Sequence, residues 1–143
     1  MSHPGYNDYY FEDIQDTGRI SRGEYLLTKE IILDFANQWD PMLFHIDEEF
    51  AKSTPHGGLI APGTLLMAIR IRLLHSGGIN RRVLASLGFE NVRFVKPAYV
   101  GDRLTLNVEL QDKRISKSRP QYGIAKYYMR SEEHTSELQS RTN

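Results

Sequence analysis

The stretch TLLMAIRIRLLHSGG, residues 64–78, constrains the fold of this chain more than any other. Its apolar residues lie almost all the way round a helix, interrupted by Arg70 and Arg72, and a helix of that kind is largely enclosed by other elements. Gly77 and Gly78 supply its stop, because glycine readily takes the left-handed conformation that ends helices. Beyond them the chain turns strand-like. Leu104, Leu106, Val108 and Leu110 alternate with Thr105, Asn107, Glu109 and Gln111, the period-two pattern of a half-buried strand. Residues 89–95 and 121–129 read as further strands, separated by a turn at 99–102 and a basic turn at 113–120. One enclosed helix followed by an antiparallel meander implies an α+β domain with its sheet wrapped on the helix.

The first half of the chain prepares that helix. A short strand is expected at 22–26. Thr28 then offers an N-cap oxygen, Glu30 sits in the first turn, and Ile31, Ile32, Phe35, Ala36 and Trp39 follow the helical period. Asp40-Pro41 ends this helix, since proline disfavours the α conformation in the residue before it. Asp47 is placed to cap a short helix through Ala51, and STPHGGLIAPG after it is irregular backbone.

At 143 residues the chain is one domain with one modest core. Its net charge is zero, which gives no global pull towards nucleic acid or membrane, and neither is expected as a partner. The apolar run at 59–74 is too short and, with Arg70 and Arg72, too charged to span a bilayer. Cysteine is absent, which removes disulfides, thiolate nucleophiles and Cys-ligated metals. The start, MSHPGYNDYYFED, shows no basic stretch followed by an apolar one, so a cytoplasmic location is expected. No metal-ligand spacing, phosphate loop or serine elbow is present, and no metal or cofactor is expected.

Residues 130–143, RSEEHTSELQSRTN, carry neither a strand period nor a helical stripe. The run RSEEHTSELQS looks like the in-frame translation of a sequencing-library adapter. The domain is accordingly expected to occupy residues 1–129, with 130–143 a non-native tail.

Two residues stand out chemically. Asp40 and His45 lie five apart in the irregular stretch between two helices, close enough for a carboxylate and an imidazole to share one water molecule. Such a pair suits general acid–base work, although a helix-ending Asp and a half-buried loop His would leave the same trace. Gly63 opens the enclosed helix after a Gly/Pro-rich loop, where unpaired N–H groups and the positive end of the helix dipole gather. A thioester oxygen acquiring negative charge would be stabilised there, although Gly57, Gly58 and Gly63 would equally serve to allow tight turns. His56 lies in the glycine loop, and His75 near a helix end reads as a dipole partner.

The stretch FANQWDPMLFHIDEEFAKSTPHGGLIAPG resembles the signature region of MaoC-like dehydratases and (R)-specific enoyl-CoA hydratases, and PAYVGDRLTLNVEL is similar to a later block of that family. Where the family commonly reads Asp-x-Asn-Pro-x-His, this chain has Met42 and Leu43. The resemblance implies a hot-dog fold, hydration of a 2-enoyl-CoA or its reverse, and a homodimer whose CoA arrives as part of the substrate. Asp40 and His45 match the acid–base pair, and Gly63 matches the glycine whose N–H binds the thioester oxygen. A final strand of the family, after Met129, is expected to be missing. Arg81, Arg82 and Lys117 are the first choices for holding CoA phosphates. A hot-dog thioesterase or a non-catalytic acyl-CoA-binding subunit would share most of these features.

Overall fold

The computed structural model describes residues 2–134. Its sheet is antiparallel with strand order β2 (Ile20–Leu26), β4 (Arg103–Ile115), β5 (Gly123–His134). A parallel pair, β1 (Asn7–Tyr9) with β3 (Ile79–Arg81), stands apart from it and was not legible in the pattern. Four helices lie between β2 and β3: α1 (Lys29–Trp39), α2 (Leu43–Ile46), α3 (Glu48–Ser53) and α4 (Gly63–Leu74). This is the expected α+β arrangement. Among the described residues no helix is long and apolar enough to cross a membrane.

The helices begin where their caps dictate. The Thr28 hydroxyl accepts from Ile31 N–H at 3.3 Å, and the Asp47 carboxylate accepts from Phe50 N–H at 2.9 Å. In α4, Leu65, Ile69 and Leu73 are buried at helical spacing and pack with Leu104, Leu106 and Val108 of β4. Leu27, Ile32 and Ala51 close the same core. The adjoining face of α4, with Gly63, Leu66 and Arg70, is only partly covered.

Asp102 locks the sheet to the helical layer. It is buried, its carboxylate accepts from Tyr99 N–H at 2.8 Å, and its carbonyl accepts from Leu27 N–H at 2.9 Å. Gly101, at φ +92°, completes that turn and donates to Leu27 O. Asp102→Ala strands the Tyr99 amide and is expected to lower stability by about 1–3 kcal/mol. Urea unfolding of the two proteins measures the difference.

Two expectations are corrected. Residues 89–95 form no strand: among the described residues they have no ladder partner, they bend at Asn91 (φ +53°), and they are held by Phe94 against Gly63, Phe89 over Arg70, and a 2.8 Å Glu90–Lys126 ion pair. Strand-forming side chains do not suffice where no neighbouring strand offers main-chain groups. Val95 of this segment, and Val83, Leu84 and Leu87 just before it, are largely exposed. Second, β5 does not stop at Met129. Arg130–His134 continue it, pairing with Asn107 through Arg103, because β4 supplies a regular main-chain template regardless of side-chain period. Residues 135–143 of the expected tail lie outside the described residues.

Candidate active site

The site begins where α1 ends. The Asp40 amide still donates to Ala36 O at 2.9 Å, but Asp40 has left the helical region (φ −152°, ψ 75°), as the following proline requires. Met42 N–H donates to Asp40 O and His45 N–H donates to Met42 O, so α2 follows at once and carries His45 inward. These are main-chain bonds. The Met42 and Leu43 side chains are half exposed and take no part in folding the loop back.

His45 is 5% exposed. Its Nδ1 lies 2.7 Å from Ile60 O. A carbonyl oxygen only accepts, so this bond requires the proton on Nδ1 and leaves Nε2 of the neutral ring with a bare lone pair. That nitrogen faces Asp40, whose Oδ2 stands 3.6 Å away. The gap is too long for a direct hydrogen bond. With the ring neutral and the carboxylate ionised, both groups are acceptors, and one water donating a proton to each satisfies both.

Ile60 also fixes the backbone between α2 and α4. Its amide donates to Phe44 O at 3.3 Å, it bridges Tyr99, and Ala61 N–H donates to Ala98 O at 2.9 Å. Together these elements border an open cavity of about 460 Å³ lined by Asp40, His45, Gly63, Leu66, Phe94 and Lys96, among others. Asp40, His45 and Gly63, singled out in the sequence, thus meet at one cavity. Gly63 is the first residue of α4, where main-chain N–H groups have no partner within the helix. A Cβ at this position would lie 2.7 Å from Phe94 Cζ, so glycine lets the ring close over the helix start.

Arg81, Arg82 and Lys117 are not brought there. Arg81 donates to Leu74 O at the far end of α4 and stacks on Tyr9, while Arg82 pairs with Asp8 and stacks on Tyr10. Lys117 belongs to the turn between β4 and β5, and none of the three lines the cavity. The wall at Phe94, Lys96, Pro97 and Ala98 is what sequence reasoning missed; Thr64, at the helix start, and His56, of the glycine loop, also line the cavity. His56 stacks on Phe44, whose ring also meets His45. A neighbouring signal existed in the resemblance of PAYVGD, which begins inside that wall. Among the described residues no group of three or more His, Cys, Asp or Glu is placed to hold a metal ion.

Comparison with known proteins adds an independent result. A family model described as a MaoC-like domain matches residues 12–132. The uncharacterised protein YdeM of Bacillus subtilis is 34% identical over 89 residues, covering 62% of this chain and 63% of that protein, so the alignment spans less than two thirds of the relative. Among solved structures, one titled a monoamine oxidase regulatory protein from Archaeoglobus superposes with a TM-score of 0.77 at 28% identity, covering 90% of this chain and 86% of the other. A MaoC-like dehydratase from Rhodospirillum rubrum gives 0.68 at 28% identity, with 90% and 87% covered. The fold is the hot-dog fold, a sheet wrapped on one long helix. This chain belongs to the MaoC-like domain family.

Proposed function

We propose that this chain is a hydro-lyase that adds water across the double bond of a trans-2-enoyl-CoA thioester, or removes it from the 3-hydroxyacyl product. The observation that carries the reading is the Asp40–His45 pair, 3.6 Å apart with the bare Nε2 turned towards the carboxylate, at one cavity with the Gly63 helix start. In the forward direction His45 Nε2 takes a proton from the shared water as its oxygen bonds to C3. The π electrons move to the thioester, whose oxygen carries the developing negative charge near Gly63 N–H and the positive end of α4. The pair returns a proton to C2, so one water is added and both side chains regain their starting states. No cofactor enters these steps.

The proposal includes a homodimer in the cytoplasm, supported by the exposed apolar side chains of residues 83–95. Sedimentation of the full chain at twice its monomer mass is the expected result.

The catalytic reading is tested by mixing the full chain with enoyl-CoA substrates of increasing acyl length. Enoyl absorbance is expected to fall without release of free thiol. Free CoA appearing with the enoyl group intact would identify a thioesterase instead. Binding of the ester without any turnover would identify a non-catalytic subunit.

A further inference from the structure

The partly covered face of α4 continues beyond the cavity. Leu66 lines the cavity, and Arg70 lies one turn further along the same helix face. Residues 89–94 run along this face in the opposite direction: Phe94 packs on Gly63, and the Phe89 ring sits 4.6 Å from the Arg70 guanidinium carbon. Arg70 is the anomaly in this corridor. Its Nε and Nη2 are shielded from solvent and take no hydrogen-bond acceptor among the described residues. Burial also pulls its guanidinium below the ordinary arginine value, and no carboxylate offsets that shift.

A shielded guanidinium N–H without an acceptor is costly, and a carboxylate answers its fork geometry with two charge-assisted bonds. We propose that Arg70 is a specificity-determining residue: its guanidinium receives a carboxylate at the far end of an acyl group whose thioester lies at Gly63. The substrate class is then the CoA thioester of a 2-unsaturated dicarboxylic acid. Gly63 and Arg70 are about 10 Å apart along the helix axis, and helical side chains lean back towards the N-terminus. Acyl chains of about four to eight carbons cover that interval. Leu66, which lines the cavity, gives the intervening methylenes an apolar contact.

This role for Arg70 rests on the thioester reading of the site, and the experiment separates the two. Enoyl-CoA substrates of matched length, ending either in a carboxylate or in its methyl ester, are compared in the full chain. Because both carry the same CoA, any contribution of its phosphates cancels. The carboxylate member is expected to show kcat/KM at least about tenfold higher at the best length. Arg70→Gln is expected to remove that preference while hydration of a short, neutral enoyl-CoA stays within about threefold of the wild type. Equal kcat/KM for the two members in a wild type that hydrates neutral enoyl-CoA overturns the proposal, as does a preference that survives in folded Arg70→Gln. If that variant does not fold, the wild-type comparison decides alone. If no enoyl-CoA is hydrated, the catalytic reading fails, and calorimetry with the matched saturated acyl-CoA pair decides the anchor. Tighter binding of the carboxylate member by about tenfold supports it, and equal affinity overturns it.

Discussion

His45→Gln is expected to lower kcat for enoyl-CoA hydration by at least about 100-fold, and Asp40→Asn by a similar factor. The geometry gives each residue a separate part. His45 is held by Nδ1–H to Ile60 O, which sets the tautomer and leaves Nε2 facing Asp40. Glutamine can offer a carbonyl oxygen in that direction, but it cannot take up and return a proton near neutral pH. Asparagine in place of Asp40 keeps the size and the backbone bonds to Ala36 and Met42, yet it replaces one acceptor oxygen with an amide that competes with the water as donor. Neither change disturbs the α4–β4 core, so circular dichroism and thermal midpoints should remain close to the wild type. Near-unchanged turnover by either folded variant would remove the pair from the mechanism.

The largest stability effect is expected from Leu106→Ala, at about 2–5 kcal/mol. Leu106 is fully buried in β4, the central strand, which pairs with Arg22 of β2 on one side and Ser131 of β5 on the other. It belongs to the cluster that α4 presses onto the sheet through Leu65, Ile69 and Leu73. Truncation leaves a cavity that a central strand, held on both edges, cannot collapse to fill. Ile115, near the end of the same strand and 53% exposed, is the control, and its alanine variant should stay within about 0.5 kcal/mol. A loss below about 1 kcal/mol at Leu106 would be inconsistent with this core. Denaturant midpoints at matched m-values measure both.

Elements with their own periodicity and caps were legible in the sequence. Helix α1 starts at Thr28 and ends at Asp40-Pro41, α3 starts at Asp47, and β4 alternates as its residues predict. Residues 89–95 failed because a strand depends on a partner that local sequence does not encode. The continuation of β5 through Arg130–His134 failed in reverse: its partner β4 was there, and its side chains gave no sign of it.

The candidate site divides in the same way. Asp40, His45 and Gly63 are close in sequence or sit at a helix boundary, so spacing and capping rules bring them together. The wall at Phe94–Ala98 is distant in sequence and joins the site through tertiary bonds such as Ala61 N–H to Ala98 O. Arg81 and Arg82 were singled out by charge alone, and the fold sets Arg81 against Tyr9 and Arg82 against Tyr10 and Asp8, away from the cavity. Arg70 reads in the sequence as an interruption of an apolar helix and one of several scattered basic residues, and its shielded nitrogens become apparent only in the folded arrangement.

Delivery of water to C3 of an enoyl thioester by the Asp40–His45 pair leaves an isotopic record. Incubating the full chain with a trans-2-enoyl-CoA in oxygen-18 water, followed by mass spectrometry, follows the transferred atom itself. The expected product is an intact thioester carrying one labelled oxygen as a 3-hydroxyl, with that incorporation lost in His45→Gln. Label found solely in a released carboxylic acid, or an unlabelled and unchanged enoyl-CoA, would contradict the mechanism.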